Sequence, residues 1–391
     1  MNFEKLKDCM DSLIKDHKIP GLDIIVNKDH KEIFRYTKGF SDIENQRKMQ
    51  GNEIYDIYSM TKMVTCIAAL QLVEKGILSL EDEISKYLPE FEKMKISEYD
   101  FDEEEGQKIA SGVSAGANAK PDFDGYAKTP ITIKHLFTMS AGFDYDVGFL
   151  REKSEAGGSQ QSTREVVSFI SETVLGFEPG TRFRYSLCHD VLGAIIEVAS
   201  SQKLGDYMKE NIFEPLGMNN TSFDIPVSDR VMVKYRNENG KIVKTEQGNW
   251  FKVTNKYQSG GAGLASTAED YALFVDAIAC GGIGKNGNRI LLEETIKLMG
   301  TNHLSDKALE DFDKMRKGYG YGLGVRVHIN PEESCKLSPA GEFGWDGAAG
   351  AFSLVDTKNK ISVAYFQEMF GWDLKMQHLI TNALYSCIEQ E

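Results

Sequence analysis

Tyr58-Ser59-Met60-Thr61-Lys62 stands at the head of the run Met63 to Lys75, which reads as a buried helix carrying Val64, Ile67, Ala68, Leu70, Leu72 and Val73. Ser59 and Lys62 are three apart, so on a helix their side chains share a face and meet. A serine hydroxyl is nearly inert at neutral pH until a base takes its proton. A lysine serves as that base only where burial and neighbours lower its pKa. The free N–H groups at a helix start add stabilisation of negative charge on the serine or on an oxyanion. The same spacing recurs at Ser12 to Lys15, inside a charged amphipathic helix, and at Ser200 to Lys203, near the end of another helix. Neither opens an apolar helix. Read alone, Ser59 is either a nucleophile or the residue capping its helix.

Outward from that helix, Ile19-Pro20-Gly21 turns the chain into a buried strand over Leu22 to Asn27, and Lys31 to Lys38 answers it across Asp29-His30 as an antiparallel hairpin. Gly76 ends the Ser59 helix, and Leu78 to Asp82 leads into a short helix stopping near Pro89. Residues 91–129, with an acidic run at Asp102 to Glu105 and small residues from Ser111 to Ala119, read as a long surface excursion rather than a cation site. Helices are expected over Ile131 to Ser140, Thr163 to Val174, Asp190 to Ser200, Leu204 to Ile212 and Thr267 to Ala279. A hairpin through Asn239-Gly240 interrupts them. Gly260-Gly261-Ala262-Gly263 reads as close backbone packing, not a phosphate loop.

The last third turns to strands. Gly318, Gly320, Gly322 and Gly324 alternate with Tyr319, Tyr321, Leu323 and Val325, and Ala351 to Asp356 pairs with Ile361 to Gln367 across Thr357 to Lys360 before a final helix from about Asp373. Strands at both ends around a helical middle imply a single α+β domain. Its antiparallel sheet comes from 1–58 and 315–391, with 59–314 inserted as a mainly helical part. A cleft is expected between the two.

Composition narrows the function. A formal net charge of −14 argues against nucleic-acid and anionic-membrane binding. The charged, amphipathic start and the absence of a long apolar run lead us to expect a cytoplasmic protein. Six scattered cysteines read as free thiols, with no zinc or disulfide pattern. Gly112-Val113-Ser114-Ala115-Gly116 matches a nucleophile elbow but lacks the strand before and the helix after it. His189-Asp190 are adjacent on a helix and do not face one another, so His189 reads as a packed or partly exposed helix residue.

With these segments in order, the chain resembles the serine β-lactamase and penicillin-binding-protein-like hydrolases, in the branch of class C β-lactamases, D-peptidases and esterases. Ser59-Met60-Thr61-Lys62, Tyr185-Ser186 with Asp190-Val191-Leu192-Gly193, and Gly344-Trp345-Asp346-Gly347-Ala348-Ala349-Gly350 carry the resemblance. It implies a β-lactamase/transpeptidase-like fold. It also implies a Ser59 acyl-enzyme, Lys62 and Tyr185 sharing general base and acid work, and an oxyanion hole from the Ser59 and Ala348 N–H groups. Leu187, Trp345, Asp346 and Gly347 fall at substrate-binding positions. Leu187 replaces an Asn, and Trp345-Asp346 replace Lys or His and Thr, so an anionic β-lactam is expected to bind poorly against Asp346. The expectation is a serine hydrolase for small neutral, aromatic or cationic esters or amides, needing neither metal nor cofactor. A β-lactamase or D-aminopeptidase is the alternative, and a silent ligand-binding homologue the alternative of another class.

Overall fold

The computed structural model describes residues 2–97, 125–224 and 228–388. The acidic run, the small-residue tract and the elbow-like Gly112 to Gly116 lie outside the described residues.

The N-terminal helix α1 (Glu4–Lys15) is followed by strands β1 (Gly21–Lys28), β2 (Lys31–Asp42) and β3 (Arg47–Lys48). The chain returns to the same sheet only at β4 (Tyr319–Tyr321), β5 (Arg326–His328), β6 (Phe343–Gly344), β7 (Phe352–Asp356) and β8 (Ile361–Phe366). The eight strands run in the order β4-β5-β6-β7-β8-β1-β2-β3, with every pairing antiparallel. The junction of the two chain ends is the β1–β8 pair, with Ile24 opposite Tyr365 and Ile25 opposite Ala364. This is the expected architecture: an antiparallel sheet closed by both termini.

Alternation along β1 divides the core. Ile24 and Val26 point to one face, where Leu6, Met10 and Leu13 of α1 meet Ile380 and Leu384 of the terminal helix α5 (Lys375–Ile388). Ile25 points to the other face and joins the larger core. That core contains the Ser59 helix α2 (Thr61–Glu74), α3 (Cys188–Ser200) and α4 (Ala268–Ala279). From Thr61 to Leu72 every residue of α2 is buried, so this helix has no solvent face.

Several boundaries differ from the sequence reading. The glycine-alternating strand ends at Tyr321: a Cβ on Gly322 would lie 2.0 Å from the Met299 carbonyl oxygen, and Gly324 has φ +85°, so the backbone bends where the pattern alone predicts it to continue. The helix expected to Val174 stops at Ser168 and tightens into a 3₁₀ turn over Phe169–Glu172. The segment before Pro89 forms only 3₁₀ turns, at Ile84–Lys86 and Pro89–Phe91. The hairpin through Asn239-Gly240 forms as read.

Candidate active site

Ser59 lies in a 3₁₀ turn, Tyr58–Met60, that runs directly into α2. The residue before it is strained. Tyr58 has φ +44°, a left-handed conformation that costs a bulky residue about 1–3 kcal/mol. Its ring is held in T-shaped contact with Phe251 and Phe370, at 6.2 and 5.6 Å between centroids. One turn on, Lys62 is completely buried, and its Nζ reaches Ser59 Oγ at 3.3 Å.

The same Nζ donates to the Tyr145 hydroxyl at 3.2 Å and to the Gly261 carbonyl at 2.8 Å. An ammonium has three protons, and three acceptors stand around it. Burial alone would push Lys62 down. The facing phenols Tyr145 and Tyr185 and the Asp190 carboxylate outweigh it and hold the ammonium above its ordinary range. This direction differs from the expectation of a lysine made basic by burial and suits a lysine that donates to Ser59 Oγ. The Tyr145 phenol is in turn pushed up by burial, an effect that exceeds the pull of Lys62.

Tyr185, just ahead of α3, stacks between two rings. Tyr145 lies at 5.3 Å and 11°, and Trp345 at 5.5 Å and 27°. The Trp345 indole N–H donates to the Tyr185 hydroxyl at 3.2 Å, and Lys62 Nζ sits 4.6 Å from the Tyr185 ring centroid. The far face of Trp345 carries the Arg316 guanidinium at 5.4 Å.

The Ala348 amide is aimed by its neighbours. Gly350 N–H donates to the Gly347 carbonyl at 3.0 Å and fixes the peptide that bears the Ala348 N–H. Gly347 is pressed so closely on the Ser59 segment that a Cβ there would stand 2.8 Å from the Ile57 carbonyl oxygen. Neither the Ser59 nor the Ala348 amide donates to another group among the described residues, and both residues line one cavity of about 640 Å³. Tyr145, Tyr185 and Trp345 line the same space, as do Trp250 and Phe251, which the sequence reading placed in the hairpin strands over 231–255 but which lie beyond the strands that form, Tyr235–Glu238 and Lys241–Lys244.

The Gly260 to Gly263 turn is part of this site. A Cβ on Gly260 would come 2.4 Å from the His189 carbonyl oxygen, and one on Gly261 2.4 Å from the Asp190 carboxylate. Asp190 Oδ1 accepts from the Tyr257 and Ser259 hydroxyls, each at 2.6 Å, and from the Gly261 amide at 3.3 Å. Only glycine allows that approach, and it turns the Gly261 carbonyl onto Lys62. His189 is a packed core residue as read: its Nε2 faces Cys66 Sγ at 3.6 Å, and burial pushes it down to about 3.

Two substrate-position expectations change. Leu187 is buried in the hydrophobic core and does not line the cavity. Asp346 does line it, but its carboxylate is ion-paired with Arg316 and, at 3.4 Å, with Arg326, which also holds Glu342 at 3.0 Å. The acid is therefore neutralised rather than offered to a ligand. Arg151, Arg236, Lys252 and Arg316 line the cavity against Glu246 and Asp346. The cleft is thus locally cationic within a chain of net charge −14, and the expected repulsion of an anionic β-lactam by Asp346 loses its basis.

A serine three residues before a buried lysine, a stacked tyrosine and an oriented amide in the turn between β6 and β7 define the β-lactamase and penicillin-binding-protein fold class. The chain belongs to the Beta-lactamase family, whose model matches residues 6–384. It is similar to esterase EstB of Burkholderia gladioli, with 24% identity over 387 residues covering 92% of this chain and 88% of that protein. A putative D-alanyl-D-alanine carboxypeptidase of Escherichia coli K12 shares 25% identity over 93% of this chain and 82% of its own length. In fold it resembles EstCE1, described as a hydrolase with promiscuous acyltransferase activity. The two superpose with a TM-score of 0.81 over 98% of each chain at 23% identity. Six free cysteines are consistent with the thiol reading, and among the described residues no helix is long and apolar enough to cross a membrane.

Proposed function

We propose that this hydrolase-family protein cleaves carboxylic esters through an acyl-enzyme on Ser59. The observation that carries the proposal is the complete use of the Lys62 ammonium on Ser59 Oγ, Tyr145 and Gly261. With Lys62 holding its proton, Ser59 Oγ accepts from the ammonium and keeps its own O–H for a base. Tyr185, as the base, takes that proton as Oγ attacks the carbonyl carbon. The negative charge moves to the carbonyl oxygen, where the Ser59 and Ala348 amides receive it. Collapse expels the alkoxide, which takes the proton from Tyr185, and water repeats the sequence to free the acid. The aromatic cavity wall suits bulky apolar acyl or alcohol groups, and its cationic lining tolerates a carboxylate on the substrate.

The test is labelling by a fluorophosphonate probe together with p-nitrophenyl butyrate and nitrocefin turnover. Ser59-dependent labelling and a burst of p-nitrophenol are expected, with ester turnover exceeding nitrocefin turnover. Tyr185→Phe should lower kcat by roughly 10²–10⁴-fold, the range of a lost general base. Labelling that persists in Ser59→Ala ends the proposal; nitrocefin turnover faster than ester turnover shifts it to a β-lactamase; no labelling of the wild type leaves a ligand-binding homologue.

A further inference from the structure

On the sheet face that carries α4, remote in sequence from every residue of the cleft, three different donor types converge. His30 sits in the β1–β2 turn, Asp276 in the last turn of α4, and Cys280 just beyond that helix. Their ligand atoms all lie within 4.8 Å of one another. His30 Nδ1 is 2.8 Å from Asp276 Oδ2, and Cys280 Sγ is 3.9 Å from Asp276 Oδ1.

We propose that His30, Asp276 and Cys280 bind a divalent transition-metal ion of the zinc type, with water in the fourth position. Tetrahedral zinc, with bonds of about 2.0–2.3 Å to N, O and S, needs ligand atoms about 3.3–3.6 Å apart, so the His30–Asp276 and Cys280–Asp276 separations are reached by movements of about half an ångström and any separation up to 4.8 Å by about an ångström. A fixed positive charge, Lys360, acts on Cys280 but is itself ion-paired with Asp29. The Asp276 side chain is only 3% exposed, and its one ion-pair partner among the described residues is His30, a cation only when protonated. A divalent ion supplies positive charge to a buried carboxylate otherwise served by a half-exposed imidazole and a neutral thiol. The turn geometry agrees. Asp29 and His30 have φ +48° and +65°, the two left-handed positions of a tight hairpin where Asn-Gly is the low-cost pair. The His30 backbone therefore carries strain for a side chain that faces Asp276.

Binding is coupled to protons. A free cysteine thiol holds its proton near neutrality. Forming the metal–sulfur bond breaks the S–H bond and releases one proton to solvent, while the imidazole carries its remaining proton on Nε2 and ligates through Nδ1. The ion would clamp the β1–β2 hairpin to α4. That helix also touches the nucleophile turn, since Tyr271 Oη donates to the Met60 carbonyl at 2.9 Å.

Cobalt titration of the chelator-treated full chain tests this. One equivalent of Co²⁺ should give a sulfur-to-cobalt charge-transfer band with release of one proton, and Zn²⁺ should abolish the band. His30→Ala and Cys280→Ala should lose it, Cys335→Ala at the exposed thiol should keep it, and Zn²⁺ should raise the Tm of the wild type but of neither site variant. His30 lies in a half-exposed turn, so that variant tests the site without removing a core residue. Absence of the band in the wild type, or its survival in His30→Ala or Cys280→Ala, overturns the assignment.

Discussion

Asp190→Asn probes the carboxylate that shapes the candidate pocket from behind. Asp190 is 1% exposed, and its Oδ1 takes two hydroxyl hydrogen bonds at 2.6 Å and the Gly261 amide at 3.3 Å. Hydrogen bonds to an ionised acceptor stabilise by about 1.5–3 kcal/mol, against about 0.5–1.5 for neutral pairs. Two weakened hydroxyl bonds thus lose about 2–3 kcal/mol, and the new amide N–H₂ faces groups that already donate. A Tm lower by roughly 2–4 °C follows for a chain of 391 residues. The charge has a second consequence. The Asp190 carboxylate is among the groups holding the Lys62 ammonium above 10.5, so its removal lowers the Lys62 pKa. The sign follows directly. A raised lysine pKa contributes stability and a charged donor at all pH below the ordinary value, and loses both only as pH rises through the folded value. In Asp190→Asn that loss moves to lower pH, so the alkaline limb of kcat/KM for p-nitrophenyl butyrate should shift down. Near neutrality kcat should fall by roughly 10–100-fold as the Gly261 carbonyl drifts from Lys62. Tyr257→Phe is the control: it removes one donor, keeps the charge, and should lower Tm without moving the alkaline limb. An Asp190→Asn enzyme with wild-type Tm and an unmoved pH profile would refute this account.

Three further substitutions test separate parts of the site. Gly347→Ala places a methyl 2.8 Å from the Ile57 carbonyl oxygen, so the strand must retreat. A kcat loss of roughly 10²-fold is expected in ester assays, with a stability loss of about 1–3 kcal/mol by denaturant titration. Leu187→Asn restores the residue usual in β-lactamases but puts an amide into the core. It should lose about 2 kcal/mol and leave nitrocefin hydrolysis unchanged, and a roughly tenfold gain would return Leu187 to the substrate site. Lys336 is buried, and desolvation together with the Arg326 charge pushes it down to about 7. The folded chain therefore sheds a proton that the unfolded chain keeps up to 10.5, and the penalty of burying the charge is full below about pH 7 and fades toward 10.5. Lys336→Met should raise Tm most at acidic pH by differential scanning fluorimetry; an equal gain at all pH would show that the ammonium is not responsible.

The parts of this molecule legible in the sequence are those set by local periodicity or by a single helix turn. The apolar run after Lys62 dictates a buried helix, and the Ser59–Lys62 contact follows from a spacing of three. The alternation in β1 and β8 fixes which residues face which core, and thereby the sheet built from both termini. Contacts across long sequence distances left less trace. Tyr145 reaches Lys62 from 83 residues away, in a loop whose composition gives no signal. Gly261 reaches it from 199 residues away, and here the sequence did carry a mark: Gly260-Gly261-Ala262-Gly263 announces close backbone approach without saying to what. Asp190 was visible beside His189, but pairing it with its neighbour looked along the helix. Its partners Tyr257 and Ser259 lie across it.

Asp346 shows why residue identity at a binding position does not determine the charge a ligand meets. Taken from the chain alone, an acid in place of a Lys or Thr makes the cleft hostile to anions. In three dimensions that acid is the common acceptor of Arg316 and Arg326, and Arg316 in turn covers the outer face of Trp345, whose indole N–H holds Tyr185. The carboxylate thus acts inward, as the counter-charge that lets a guanidinium lie on the aromatic stack. Replacing it would free a cation in the cavity and loosen the stack together, so Asp346→Asn should alter kcat through Tyr185 as well as KM for charged esters. A change confined to KM would place Asp346 among the groups that touch substrate; a loss of kcat shared by neutral and anionic esters would place it behind the base.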